Sequence, residues 1–134
     1  MSMLAKLMST KLVYVGPDET IGEMHKLLDA LPIHHLLVME GGVLLGVVSD
    51  REIYKHMSPF ANTKLESQKD RFSANLPAAR IMKKNIITVN VHAGVREAAD
   101  KMVKNNESLL PVVDDAGRVI GVLSWKDILR FISS

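Results

Sequence analysis

The sequence predicts a mixed α/β (α+β) fold made of two copies of one β-α-β-β-α unit. Two observations carry this: an internal repeat at nearly constant spacing, and the same order of apolar patterns in each copy. Leu7-Met8-Ser9-Thr10-Lys11-Leu12-Val13-Tyr14-Val15 is answered by Ile81-Met82-Lys83-Lys84-Asn85-Ile86-Ile87-Thr88-Val89, Met82 following Met8 by 82 − 8 = 74 positions. Further on, Gly42-Val43-Leu44-Leu45-Gly46-Val47-Val48-Ser49 is answered by Gly117-Arg118-Val119-Ile120-Gly121-Val122-Leu123-Ser124, at 121 − 46 = 75. One residue inserted between helix and strand would reconcile the two registers.

Each copy opens with a short β-branched run, Leu12 to Val15 or Ile86 to Val89, suited to a strand. A helix follows. In the first copy Thr20-x-x-Glu23 has capping-box spacing, and Ile21, Met24, Leu27, Leu28 and Leu31 lie on one face before Pro32. In the second, Gly94 precedes Val95, Ala98, Ala99, Met102 and Val103 at helical spacing, with Glu97 near the positive helix end. Leu36-Leu37-Val38-Met39 and Pro111-Val112-Val113 then lead through Glu40-Gly41-Gly42 or Asp114-Asp115-Ala116-Gly117 into a second apolar run, the pattern of a hairpin. These strands are apolar at consecutive positions, which argues for cover on both faces. Ser49 and Ser124 open the last helices, with stripes of Ile53, Tyr54 and Met57, or Ile128, Leu129 and Ile132. The repeats thus span residues 7–57 and 81–133, and residues 58–80, with Pro59, Asn62, Ser67, Ser73 and Pro77, read as a linker with room for one exposed helix.

Composition narrows the function. At 134 residues and 47% apolar, the chain suits one paired module, too small for a catalytic domain plus a regulator. A formal charge of +2 from interspersed Lys and Arg offers no block for neutralising nucleic-acid phosphates. With no cysteine, disulfides, thiolate metal sites and cysteine nucleophiles are excluded, and a reducing cytoplasmic setting fits. No apolar run approaches the roughly 20 residues of a membrane span, and Met1 to Met8 is too short for a secretory signal. The abundant methionines, Met8, Met24, Met57, Met82 and Met102 among them, fall in or beside apolar faces and read as gap-fillers or as an adaptable interface.

Catalysis and metal binding find no support. No nucleophile stands beside a base in a recognisable context, and Gly41-Gly42 is a turn signal. Asp50 with Glu52 could hold a divalent ion, but alternate acids at a helix start ordinarily compensate the dipole. His34 and His35, adjacent in an extended stretch, point to opposite faces and cannot share a metal. One buried and one exposed imidazole is the plain expectation. His25, His56 and His92 join no cluster.

The arrangement resembles the cystathionine-β-synthase (CBS) domain family, whose members occur as tandem pairs known as Bateman modules. The resemblance rests on Ile87-Thr88-Val89 before a helix, Leu110-Pro111-Val112-Val113-Asp114 with Gly117, and Gly121-Val122-Leu123-Ser124-Trp125-Lys126-Asp127-Ile128. Leu36-Leu37-Val38 and Gly46-Val47-Val48-Ser49-Asp50-Arg51-Glu52-Ile53 are the first-copy counterparts. It implies two units packed sheet to sheet about a pseudo-two-fold axis, two clefts, and a homodimer shaped as a flat disc.

It also implies a nucleotide cleft lined by the Ser and Asp of a Gly-h-h-Ser-x-x-Asp motif (h, apolar), the acid taking ribose hydroxyls. Ser124 and Asp127 match this pattern, and a helix N-terminus suits phosphate. The first copy ends in Glu52 after Ser49, one methylene longer. Both spacings are equally those of a capping box, so capping stands beside ligand binding as a reading. For the adenine, the resemblance offers Ile86, Ile87, Leu109 and Val122 in the second copy, residues that core packing explains as well. Leu12, Val13, His34 and Val47 are the first-copy counterparts, with His34 where a basic residue faces phosphate and Leu109 uncharged.

Two functions follow from different classes. One is a regulatory sensor, not an enzyme, with no required cofactor. It would bind AMP, ADP or ATP, with an S-adenosyl compound as a further candidate, and signal to a separate, unidentified protein by conformational or assembly change. The other is a ligand-free dimerisation or scaffold domain whose Ser-x-x-acid motifs only cap helices. Neither nucleic acid nor membrane is an expected partner.

Overall fold

The computed structural model describes residues 2–57, 64 and 67–133; of the positions discussed above, Met1, Ser58, Pro59 and Asn62 lie outside the described residues. The described elements run α1 (Met3–Leu7), β1 (Tyr14–Val15), α2 (Ile21–Ala30), β2 (His35–Glu40), β3 (Val43–Ser49), α3 (Asp50–His56), α4 (Gln68–Ala74), α5 (Ala78–Ile81), β4 (Val89–Asn90), α6 (Val95–Asn105), β5 (Leu109–Val113), β6 (Val119–Ser124) and α7 (Trp125–Ser133). The chain divides into two compact units, residues 13–85 and residues 1–12 with 86–134. They are termed the first and second unit, after the repeat each contains.

Each unit holds one three-stranded sheet, ordered β1-β2-β3 or β4-β5-β6, with a parallel first pair and an antiparallel second pair. The parallel pair requires a crossover, which α2 and α6 supply. The core of the first unit gathers Val15, Ile21, Met24, Leu28, Leu36, Val38, Val48 and Ile53; Val89, Ala98, Met102, Leu110, Val112, Leu123 and Ile128 form that of the second. Three consecutive residues of the middle strand are buried in each, Leu36, Leu37 and Val38 or Leu110, Pro111 and Val112, so both faces of that strand are covered.

Each repeat is completed by a short helical lead-in, and the composition of the units shows where it comes from. Helix α1, ahead of the first repeat in sequence, belongs to the second unit, where Leu4 is fully buried in the core. Helix α5, ahead of the second repeat, belongs to the first unit, with Ala78 in its core. Behind each helix one residue adds an antiparallel bridge to the outer strand of the hairpin, Ser9 to Val122 and Lys83 to Val47. The repeated methionines and glycines make this possible. A Cβ on Gly121 would stand 2.5 Å from Met8 Sδ, and one on Gly46 2.6 Å from Met82 Sδ.

The hairpins carry the inserted residue. Val38 pairs with Gly46 and Val112 with Gly121, so the 74-residue spacing holds through β5 and becomes 75 only beyond the turn. The register change expected between helix and strand therefore lies in the β5–β6 turn. There a longer loop, with Gly117 at φ +83°, replaces the tight Gly41-Gly42 turn at φ +58° and +80°. Two consecutive positive φ values define the tight turn suited to a right-twisted hairpin.

Three helical expectations need correction. Thr20 accepts the Glu23 N–H, but the Glu23 carboxylate turns to Lys26 at 3.2 Å and the capping box stays half made. Val103 is 83% exposed, and the closing helices bury only Ile53 and Ile128, leaving Tyr54, Leu129 and Ile132 outside. A short helix against one sheet buries a narrower arc than its apolar pattern spans. Of the connecting stretch, Ser67 and Asp70 form a complete capping box for α4, which buries no residue.

Candidate functional site

In the second unit, Ser124 ends β6 and Asp127 lies in the first turn of α7. The Asp127 Oδ2 accepts the Ser124 N–H at 2.8 Å and the Ser124 hydroxyl at 3.0 Å, while Ser124 Oγ lies 3.3 Å from the Asp127 N–H it accepts. This reciprocal arrangement is a capping box, so the motif does serve the helix start. Its other oxygen, Oδ1, is 3.5 Å from Arg130 Nη2, and the Asp127 side chain is 13% exposed.

Around this pair the sheet places Leu109 directly across from Ser124 and Pro111 across from Val122. Leu109 and Val122 stand outside the core cluster, on the face opposite Leu110, Val112 and Leu123. Ile86 is half-buried ahead of β4, whereas the Ile87 side chain packs against the core. Both backbone groups of Val122 are bonded to Ser9, N–H to O and O from N–H at 2.9 Å each, so its N–H is committed within the unit. The backbone ahead of β4 is different. In the first unit the Val13 carbonyl accepts the Leu37 N–H at 3.2 Å, but Pro111 occupies the position of Leu37 and has no N–H for the Ile87 carbonyl. Pro111 is thus a functional candidate beyond the Ser-x-x-acid motifs, although its lack of a donor is legible in the sequence.

The first unit presents a different constellation. Ser49 caps α3 by accepting the Glu52 N–H at 3.2 Å, but the Glu52 carboxylate makes no return bond to Ser49 and no ion pair among the described residues. The Asp50 N–H donates to the His34 carbonyl at 2.8 Å, and His34 Nδ1 lies 2.9 Å from Asp50 Oδ2. The imidazole expected to meet a phosphate is therefore held by a carboxylate, although it stays 71% exposed. His35 is half-buried rather than fully enclosed. Both backbone groups of Val47 are bonded to Lys83, at 2.9 and 3.1 Å.

The strand register also corrects one correspondence. His35 pairs with Ser49 and Leu109 with Ser124, and the Trp125 N–H donates to the Ser108 carbonyl as Asp50 does to His34. Leu109 therefore matches His35, and Ser108 matches His34. No group of three or more His, Cys, Asp or Glu side chains that could hold a metal occurs among the described residues. No helix among them is long and apolar enough to cross a membrane.

The CBS domain signature matches residues 4–59 and 78–134. A CBS domain-containing protein of Dictyostelium discoideum is 35% identical over 97% of this chain and 90% of its own length. The L-aspartate semialdehyde sulfurtransferase of Methanocaldococcus jannaschii is 31% identical over 96% of this chain, which spans only 23% of that enzyme. Among solved structures, the CBS domain pair of protein MJ0100, in complex with 5′-methylthioadenosine and S-adenosyl-L-methionine, is 28% identical. It superposes with a TM-score of 0.77 over 99% of this chain and 96% of that one.

Proposed function

Because the chain belongs to the CBS domain family, as a tandem pair of repeats, we propose that it is a regulatory module, not an enzyme, that senses an adenosine compound at Ser124 and Asp127. The observation that carries this reading is the half-enclosed Asp127 carboxylate. One oxygen is fixed by Ser124, and the other has no backbone or hydroxyl donor among the described residues. A carboxylate so oriented can accept the vicinal hydroxyls of a ribose. Leu109 and Val122 supply apolar surface for the base, and the Ile87 carbonyl, freed by Pro111, supplies an acceptor for an exocyclic amine. The adenosine ligands of the MJ0100 domain pair support the same class.

AMP, ADP and ATP are the leading ligands, with S-adenosylmethionine and 5′-methylthioadenosine as the alternative. The position that would carry a phosphate-facing base is Ser108 in this unit, which weighs toward the alternative. Binding shifts the population of a conformational or assembly state that a cytoplasmic partner reads, with the homodimer as the working assembly. Calorimetric titration of the wild-type chain with each compound tests the reading. Saturable binding by at least one, lost at least tenfold in Asp127→Ala, is expected. No binding by any, with an unchanged melting temperature, would refute it.

A scaffold function is the second reading, and one observation favours it. The capping box accounts for Ser124 and Asp127 without a ligand, while α7 exposes Trp125, Leu129 and Ile132, an apolar strip suited to a second copy. Dimerisation untouched by any adenosine compound, and lost in Leu129→Glu, would select it.

A further inference from the structure

Resting on the nucleotide reading above, the geometry points to Arg130 as a positioning residue that holds Asp127 for the ribose diol. The Asp127 carboxylate has two unlike oxygens. Oδ2 is saturated by the Ser124 N–H and hydroxyl at 2.8 and 3.0 Å. Among the described residues, Oδ1 has one charged neighbour, the Arg130 guanidinium at 3.5 Å. That distance exceeds a well-formed hydrogen bond, so Arg130 fixes the carboxylate by charge without occupying the lone pairs a hydroxyl donor needs. Ser124 alone pins one oxygen and leaves the carboxylate free to swing about it; a cation on the far side removes that freedom.

The first unit shows the arrangement without this restraint. Glu52 stands where Asp127 stands, and Lys55, three residues on, matches Arg130, yet Glu52 and Lys55 form no ion pair among the described residues. A longer acid and a point-charge cation do not reproduce the contact. The guanidinium, planar and rigid, keeps its charge directed at one oxygen.

The test compares adenosine with 2′,3′-dideoxyadenosine, which has no diol, by calorimetric titration of the full chain. The variants are Arg130→Gln, Arg130→Lys and, as control, Lys55→Gln. Because the guanidinium end of the pair is exposed and screened by solvent, Arg130→Gln should weaken adenosine only on the order of threefold and leave the dideoxy compound unchanged. Arg130→Lys should recover part of the loss, and Lys55→Gln should do nothing. Equal loss for both ligands would make Arg130 merely structural, and overturn the assignment. So would no change for either, or tighter adenosine binding in Arg130→Gln, the mark of a competing latch. If wild type binds adenosine but Arg130→Gln does not discriminate, only the positioning role fails. If wild type binds neither adenosine nor AMP, the nucleotide reading fails and the role with it.

Discussion

The two repeats share strand order, bulge position and lead-in bridge, yet they begin their closing helices differently. In the second unit three hydrogen bonds between Ser124 and Asp127 close a capping box whose carboxylate is held on both sides. In the first, the Glu52 carboxylate, one methylene longer, makes no return bond to Ser49, and it is Asp50 that meets a side chain, His34. Duplication fixes the backbone, and side-chain length then decides whether the acid at the helix start is an oriented acceptor or a solvated charge. Two helix starts framed by one fold are therefore unequal in chemistry.

The largest expected effects test the lead-ins. Leu4→Ala, removing a fully buried side chain from the second core, should cost about 2–5 kcal/mol in denaturant unfolding. Gly121→Ala should follow at about 1–3 kcal/mol. It should exceed Gly46→Ala, because the new Cβ meets the Ser9 carbonyl at 3.0 Å as well as Met8, whereas the nearest atoms at Gly46 all belong to the flexible Met82 side chain. Equal losses at the two glycines would show that the bridge strand yields as readily as a methionine.

Next come the caps. Ser124→Ala and Ser49→Ala each remove an N-cap acceptor, worth about 0.5–2 kcal/mol. Ser124→Ala should cost more, since it also strips Asp127 Oδ2 of its hydroxyl donor. Glu52→Asp should give the first helix start the acid that closes the box at Ser124 and raise the melting temperature slightly; no gain would mean that side-chain length is not what separates the repeats.

The smallest effect concerns the turns. The Asp114 carboxyl is held below the ordinary carboxylate range, chiefly by the Arg118 backbone N–H. The guanidinium of Arg118 and the Ala116 N–H assist, against a partial opposing effect of burial. A carboxyl with a lowered folded pKa contributes stability above its unfolded value and loses it as pH falls through the folded one. Melting temperature should therefore decline on the acid side in wild type, and part of that decline should vanish in Asp114→Asn. The Gly41-Gly42 turn, built on backbone conformation alone, contributes no such slope.

Much of this was legible in the sequence because it is local. Gly41-Gly42 announces its turn, Pro32 ends α2 at Ala30, and Ser49 and Ser124 open their helices. The position of the inserted residue was not, because runs such as Leu36-Leu37-Val38 align equally well one step along, and only strand pairing fixes them. A one-step shift of this kind sets Leu109 opposite His34 in sequence, where strand pairing sets it opposite His35. The exchange of lead-ins was not legible either, since Leu4 and Ala78 look alike to local pattern and their partners lie far along the chain. Apolar spacing likewise marked Val103, Leu129 and Ile132 for burial, although periodicity names a face without saying what covers it.

The inequality of the two sites is tested most directly by one calorimetric titration with an adenosine ligand of wild type, Asp127→Ala and Glu52→Ala. The account predicts that Asp127→Ala loses the tightest binding step while Glu52→Ala keeps it with unchanged affinity. Loss of that step in Glu52→Ala, with Asp127→Ala binding as wild type does, would contradict it.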